Sequence, residues 1–362
     1  MTTIQDVARQ ADVSVSTVSN VLNGRGNRMR PDTLARVEAA IGLLGFRPNK
    51  LARQLKTGQT PLLGLLVPSL ANPMYGSIAR EVEAAAQERF GYRLLIGSTY
   101  RDQAKEAAFF EDLLDHGVRR VIVISSLADE QHFESAAARG MSIVSYDRRA
   151  VAGRPASVGH VTPDNFEAAR LATQHLIDQG HRRLAFATVS GLTLSRSDKI
   201  AGFHAAAEAA GLHKDARVLD GGALNEYGDS VIAEVGRTTG LRLGSDTERP
   251  TGIVALNDLL AIGLMAGLRE TGLRVPHDVS VIGIDGLFLS AVSNPTLTTV
   301  QLPIREMAHA MVEQVMTPWT GSGTCELVFA PAGLIERGSV ASPPTADRKH
   351  QAHKLHTAKP SV

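Results

Sequence analysis

One cysteine, Cys325, and one tryptophan, Trp319, stand in 362 residues, and aromatic residues make up only 4% of the chain. A single thiol excludes an internal disulfide framework and fits a reducing compartment. Scarce aromatics leave no stacking platform for single-stranded nucleic acid. No apolar run approaches the length of a membrane span, and the N-terminus lacks the basic-then-apolar pattern of an export signal, so the chain reads as cytoplasmic with no membrane partner. The sequences GxxxxGK[ST], HExxH, CxxC and GxSxG are missing, and the loop around Gly24 and Gly26 lacks the preceding strand of a dinucleotide site. Neither an enzyme nor a cofactor is expected.

Net charge is also small, +1 overall, but it is unevenly spread. The first sixty residues carry the bases Arg9, Arg25, Arg28, Arg30, Arg36, Arg47, Lys50, Arg53 and Lys56 against the acids Asp6, Asp12, Asp32 and Glu38, a local excess suited to phosphate. In the same segment Ile4, Val7, Ala8 and Ala11 fall at helical spacing, and Val18, Val21 and Leu22 repeat the pattern. Thr3 with Asp6 makes a capping-box pattern, Ser14 can cap a second helix, and Asp12 sits where a turn needs left-handed backbone. Two short helices joined in this way form the shape that enters a DNA major groove. The outward residues Val15, Ser16 and Asn20 are then placed for base edges, and Thr17 and Ser19 for phosphate oxygens. An ordinary helical hairpin with a solvated Ser/Thr face would satisfy the spacing, but it leaves the charge unexplained.

Asn23 and Gly24 end the second helix. Pro31 and Asp32 open a third through Val37, Ala40, Ile41 and Leu44, with Arg30 a poor cap before it. After Gly45 comes FRPNKLARQLKTG, with Leu51, Ala52 and Leu55 on one face of a segment too short and basic to be helical alone.

Beyond Thr60, short apolar runs alternate with amphipathic helices: LLGLLVP, YRLLIGS, RRVIVIS and SIVSYD, then SVGHV, RRLAFAT, TGIVALND and VSVIGID. This alternation predicts an α/β core with parallel sheets in two lobes. Ligand sites in such folds lie at the carboxyl ends of strands, where Ser69, Asp147, Asn257, Asp258 and Asp285 stand. From Pro343 the chain is polar, proline-containing and basic, without a leucine heptad.

The order TIQDVARQADVSVSTVSNVLNG followed by RPDTLARVEAAIGLLGFRPNKLARQL resembles the headpiece and hinge of the LacI/GalR family of bacterial transcription regulators. Further likenesses run to about residue 340: ANPMY, SYDRR, ALNDLLAIG, VPHDVSVIGID and NPTLTTV. The resemblance implies an all-α helix-turn-helix headpiece over 1–46, a hinge helix or linker over 47–60, and a type I periplasmic-binding-protein-like core over 61–340. Its first lobe is expected at about 61–161 and 291–320, its second at about 162–290 and 321–340, and a disordered basic tail over 341–362. It also implies a homodimer on a palindromic double-stranded operator. Thr3, Ser14, Val15, Ser16, Thr17, Ser19, Asn20, Asn23 and Arg30 would face DNA, joined by Asn49, Ala52, Arg53, Leu55 and Lys56 of the hinge, with Leu55 the wedge into a central base step. A sugar-like effector would meet Ser69, Asn72, Met74, Tyr75, Asp147, Arg148, Arg196, Lys199, Asn257 and Asp285. The dimer interface is expected on the first core helix, around Ile78, Val82 and Ala85.

Several residues depart from the family pattern. Asp12 replaces a turn glycine. Asn20 stands where arginine is common, favouring adenine or a shorter-range contact. Lys199 occupies the place of the arginine in RxxGF, and a lysine is a point charge without the two-pronged fork. Either Arg196 supplies that anchor or the effector differs from a neutral sugar. Gly286 follows Asp285 where an acid or amide is usual. Whether effector releases the protein from DNA or recruits it is open, since both signs occur in the family.

Overall fold

A computed structural model describes residues 2–22, 29–46, 61–125, 131–147, 158–191, 193–222, 231–317 and 326–344. The chain divides into two compact units, 1–60 and 61–362.

In the first unit, helices α1 (Ile4–Gln10), α2 (Val15–Leu22) and α3 (Pro31–Leu43) enclose a small core of Val7, Ala8, Ala11, Val18, Val37 and Ala40. The caps are local chemistry. Asp6 N–H donates to Thr3 Oγ1 (3.3 Å) while Thr3 N–H donates to Asp6 Oδ2 (2.9 Å), a closed capping box, and these bonds hold the Asp6 carboxyl below its usual range. Asp12 takes φ 50° in the turn, and Ser14 Oγ accepts from Thr17 N–H at 3.2 Å. Arg30 precedes α3 without a side-chain cap bond.

The second unit holds two six-stranded sheets. The first has the order β11-β5-β4-β3-β1-β2 and is parallel throughout, built from β1 (Leu62–Val67), β2 (Arg93–Ser98), β3 (Arg120–Ile124), β4 (Ser142–Tyr146), β5 (Val158–Pro163) and β11 (Glu326–Phe329). The second has the order β12-β10-β9-β8-β6-β7, from β6 (Leu184–Thr188), β7 (Ala216–Asp220), β8 (Gly252–Ala255), β9 (Ser280–Asp285), β10 (Thr298–Gln301) and β12 (Gly333–Ile335). Only the β12 pairing is antiparallel. Central strands such as LLGLLV, GIVA and SVIGID are buried almost throughout, as expected of parallel strands covered on both faces.

Helices α4 (Pro73–Phe90), α5 (Gln103–Asp115), α6 (Gln131–Ala138) and α12 (Ile304–Met316) belong to the first lobe. Helices α7 (Asn165–Asp178), α8 (Leu194–Ala209), α9 (Ile232–Gly244), α10 (Asp258–Glu270) and α11 (Phe288–Val292) belong to the second. On one face of the second lobe, α9 and α10 interlock through glycines. A Cβ on Gly263 would lie 1.8 Å from Ala233 O, one on Gly267 2.0 Å from Arg237 O, and one on Gly236 2.2 Å from Leu260 O.

Three expectations are corrected. The strand at 298–301 belongs to the second sheet and that at 326–329 to the first, so 291–320 and 321–340 are not single-lobe segments; the chain recrosses near 302 and again near 331. Ile78, Val82 and Ala85 are fully buried in this chain's own core, where α4 packs on α12, so they cannot form an interface with another copy. Ala341 is not part of a free tail: its N–H donates to Ser280 Oγ and its carbonyl accepts from Ser280 Oγ and His181 Nε2. Residues 345–362, and with them most of the predicted tail, lie outside the described residues.

Candidate functional site

A cavity of about 100 Å³ opens at the carboxyl ends of both sheets. From the first lobe come Asn72, Met74 and Tyr75 at the head of α4, Arg101 after β2, and Tyr146 and Asp147 at the end of β4. From the second come Asn165 on α7, Thr193, Ser195, Arg196 and Lys199 at the head of α8, Ile232 on α9, Leu256 and Asn257 after β8, and Asp285 at the end of β9; Pro163 and Leu302 sit at crossings. The polar strand ends converge because parallel strands deliver their C-termini to one edge.

Both cleft carboxylates sit on unusual backbone. Asp147 has φ 64° and Asp285 φ 140°, and on the loop after β2 Tyr100 and Arg101 have φ 53° and 59°. Such conformations cost energy in non-glycine residues and cluster where side-chain aim matters.

Asp147 accepts from Asn165 Nδ2 at 2.8 Å. Burial pushes its pKa up; Lys199 and hydrogen bonds from Ser195 and Asn165 oppose that rise. Because Ser195 and Lys199 belong to the second lobe, this carboxylate of the first already couples the two. Tyr146 is pushed well above the ordinary phenol range, by burial first and then by Asp147, Asp285 and Tyr75, so its hydroxyl stays neutral.

The lysine that replaces the family arginine is buried, with Nζ 3.4 Å from Leu256 O. Arg196 lines the cleft, but its Nη1 donates to the carbonyls of Val189 (3.4 Å), Ser190 (2.9 Å) and Gly191. It braces the turn after β6. The two asparagines each spend their carbonyl on a cap: Asn72 Oδ1 accepts from Met74 N–H (3.0 Å) and Asn257 Oδ1 from Leu260 N–H (2.9 Å). Asn257 therefore has amide donors to offer a ligand. Taken together, the cleft presents carboxylate acceptors, cationic and amide donors, and apolar faces from Met74, Tyr75, Ile232, Leu256 and Leu302. That chemistry suits a small polyhydroxylated molecule with one apolar face.

Among the predicted ligand residues, Asn72, Met74, Tyr75, Asp147, Arg196, Lys199, Asn257 and Asp285 are brought together. Ser69 is not among them; it is buried, and its Oγ accepts from Ala71 N–H in the turn before α4. Arg148 lies outside the described residues. Sequence reasoning missed the polar residues Arg101, Tyr146, Asn165, Thr193 and Ser195 and the apolar Pro163, Ile232, Leu256 and Leu302. The strand-end rule, applied to YRLLIGS and RRLAFAT, would have pointed to the segments holding Arg101, Thr193 and Ser195.

In the headpiece, Val15 is 42% exposed at the start of α2, and Ser16 and Asn20 are exposed on the same helix. Thr17 and Ser19 are half-buried, and Ser14 Oγ lies 2.8 Å from Thr17 Oγ1. Thr3 caps α1, and Arg30 stands exposed before α3. Asn23, Asn49, Ala52, Arg53, Leu55 and Lys56 lie outside the described residues.

A three-helix unit of the helix-turn-helix kind and a two-lobed parallel α/β core with a cleft at its strand ends together define a ligand-responsive DNA-binding regulator. Family comparison agrees. Residues 3–49 match the bacterial regulatory proteins of the lacI family, and residues 173–340 match the periplasmic binding protein-like domain. Catabolite control protein A of Priestia megaterium is 31% identical over 90% of this chain and 94% of its own, and the regulator GalR of Escherichia coli K12 is 31% identical over 97% and 99%. The lac repressor dimer bound to operator and an anti-inducer shares the fold, with a TM-score of 0.76 at 24% identity over 94% of this chain and 99% of that one. A complex of the regulator CelR with cellobiose gives 0.63 at 26% identity over 94% and 100%. The chain belongs to the LacI family of bacterial transcription regulators, which join a DNA-binding helix-turn-helix to a sugar-binding type of effector domain.

Proposed function

We propose that this protein is a cytoplasmic, nucleoid-associated repressor that binds a palindromic operator as a homodimer and is controlled by a sugar or sugar derivative in the cleft. The observation that carries the reading is the pairing, across one cleft, of Asp147 from the first lobe with Ser195 and Lys199 from the second. A ligand that enters this contact set must change the relation of the lobes, and any change reaching the DNA-binding unit couples effector and operator reciprocally.

Within the reading, Val15, Ser16 and Asn20 read base edges and the hinge leucine Leu55 enters the minor groove. The copy-to-copy face lies where large apolar groups remain uncovered. Leu95 and Ile96 are each 40% exposed on β2, at the end of the first sheet, and Phe288 and Val292, one turn apart on α11, are 70% and 73% exposed. Apolar groups at a sheet edge favour association with another chain.

The test is selection of bound duplexes from a random pool by the full-length protein, repeated with neutral sugars, sugar acids and sugar phosphates. An enriched palindrome whose occupancy changes with one compound is the expected result. Failure to enrich any sequence under every condition would contradict the reading, and turnover of a sugar in the same panel would replace it with an enzymatic one.

A further inference from the structure

Asp285 ends β9 at φ 140°, a conformation that persists only where the surroundings hold it. Pairing with β10 and the Leu302 N–H, which donates to Asp285 O at 3.4 Å, hold it on one side, and a buried carboxylate outside the cleft lining holds the turn that follows. Asp258, fully buried at the start of α10, accepts from Leu287 N–H through Oδ2 at 2.7 Å and from the Thr299 hydroxyl through Oδ1 at 2.5 Å. Thr299 Oγ1 in turn accepts from Gly286 N–H at 3.2 Å. Both amides that follow Asp285 are therefore gripped, one directly and one through a hydroxyl whose own proton is committed to Asp258.

Two glycines leave room for this arrangement, Gly283 for the carboxylate and Gly286 for the neighbouring strand. A Cβ on Gly283 would lie 2.1 Å from Asp258 Oδ1, and one on Gly286, at φ 77°, would lie 3.0 Å from Gln301 Cα. Asn257, the residue before, lines the cleft and caps α10. One step of chain thus serves two purposes, with Asn257 toward the ligand and Asp258 behind it.

We propose that Asp258 is a positioning residue for the effector site, acting through Asp285, an inference that rests on the reading of the cleft as the effector site. An uncharged amide would reverse one of these bonds: with its oxygen on the Leu287 N–H, its NH2 would donate to Thr299 Oγ1, and the hydroxyl proton would have to turn away, toward Val300 O, weakening the grip on Gly286. Keeping a carboxylate there is costly: burial raises its pKa to about 6, against the hydrogen bonds from Thr299 and Leu287 and the attraction of Arg337. Of the elements packed on it, β10 contributes neutral Thr299, β9 contributes Gly283, which has no side chain, and the 286–287 turn contributes only backbone. Arg337, whose Nη1 donates to Ser290 Oγ and Leu297 O, is the charge acting from the C-terminal segment. Protonation near pH 6 removes one acceptor oxygen and loosens the grip, so effector affinity falls on acidification.

The experiment uses the full chain with D-galactose, D-glucose, cellobiose, D-gluconate and glucose 6-phosphate as probes, and backbone amide exchange as a readout independent of any ligand. In Asp258→Asn, the amides of Gly286 and Leu287 are expected to exchange faster while those of 281–284 keep their protection. Affinity for whichever probe binds wild type is expected to fall about tenfold, the worth of one hydrogen bond to a charged acceptor. That loss is absent when Asp285 is already Asn, and the decline in affinity between pH 7 and pH 5 is smaller in the variant than in wild type, the Asp147 carboxyl accounting for what is left. Equal affinity, additive losses, or unchanged exchange at 286 and 287 each overturn the proposal. If no probe binds wild type, the effector reading of the cleft fails by itself, and the exchange result alone decides whether Asp258 holds the turn. Should Asp258→Asn not fold, Thr299→Val, which keeps the shape and removes the hydroxyl, is expected to expose the Gly286 amide alone; unchanged exchange there overturns the proposal.

Discussion

Replacing Gly263 by alanine tests whether the close approach of α9 and α10 supports the cleft. The new Cβ would sit 1.8 Å from Ala233 O and 2.6 Å from Ala233 C, where ordinary contact begins at 3.4 Å. The obstacle is backbone, so no rotamer change relieves it, and the helices must part by about 1.5 Å at that point. Overpacking of this kind costs about 1–3 kcal/mol, and the upper end applies because the facing glycines 236 and 240 are also too close for a Cβ, at 2.2 Å from Leu260 O and 2.5 Å from Leu264 O, so the seam has no slack. Alanine returns about 1 kcal/mol of helix propensity. The net expectation is a loss of about 2 kcal/mol, or about 5 °C in the unfolding midpoint of a domain this size. Ile232 begins α9 and Asn257 caps α10, and both line the cleft, so ligand affinity should fall as well. The assay is thermal unfolding of the full chain followed by circular dichroism, with Gly76→Ala on α4 as the control, since a Cβ there meets nothing within 4 Å. That control should be neutral or stabilising. Equal midpoints for the two variants would refute the reasoning.

Lys199→Met removes the attraction that opposes the burial-driven rise of the Asp147 pKa, so that pKa climbs further. A raised carboxylate pKa contributes stability below the unfolded value that is lost as pH rises through the folded one; the stability gap between variant and wild type should therefore widen as pH rises above the ordinary carboxylate range, and a constant gap in melting curves would contradict the coupling. Val292→Asp places a charge on the exposed apolar turn of α11 and should yield monomers by sedimentation together with weakened operator binding; a variant that stays dimeric excludes α11 from the interface. Asn20→Arg should move the preferred base at one half-site position from adenine to guanine, with discrimination of about 1–3 kcal/mol readable in duplex selection. Thr3→Ala opens the capping box and should cost the headpiece about 1 kcal/mol, measured as faster amide exchange in α1; unchanged exchange would mean the cap is dispensable.

The headpiece was readable because its determinants are local. Thr3, Asp6, Asp12 and Ser14 act within three residues, and the apolar spacing of Val7, Ala8, Ala11 and Val18 needs no distant partner to be recognised. The alternation of strands and helices carried the α/β core in the same way, and the strand-end rule found Asp147, Asn257 and Asp285. What it could not carry was partnership. The stripe of Ile78, Val82 and Ala85 is apolar whether it meets α12 or another copy, and only the fold says which. A four-residue strand such as TTVQ or ELVF has no feature that names its sheet, so the late crossings were misplaced. Arg101 and Asp147 reach the cleft through left-handed backbone, which their residue types do not advertise. The commitment of Arg196 to the carbonyls of 189–191, five to seven residues back, depends on the path of the turn after β6, and spacing within KIAGF gives no hint of it.

Strand β11 and helix α12 complete the first lobe, yet both follow nearly all of the second in the chain. A nascent chain halted at residue 300 would hold a first sheet with its β5 edge unpaired and with β3, β4 and β5 lacking the apolar face of Met307, Met311, Val312 and Val315. The second lobe in turn waits for β12. Neither half can be released as a finished piece during synthesis, and cutting the gene between the lobes yields no self-sufficient fragment. Such long-range closure slows folding and exposes apolar surface while it is pending. The unit that senses ligand therefore matures all at once, when the last thirty described residues leave the ribosome, well after the DNA-binding helices have had time to form.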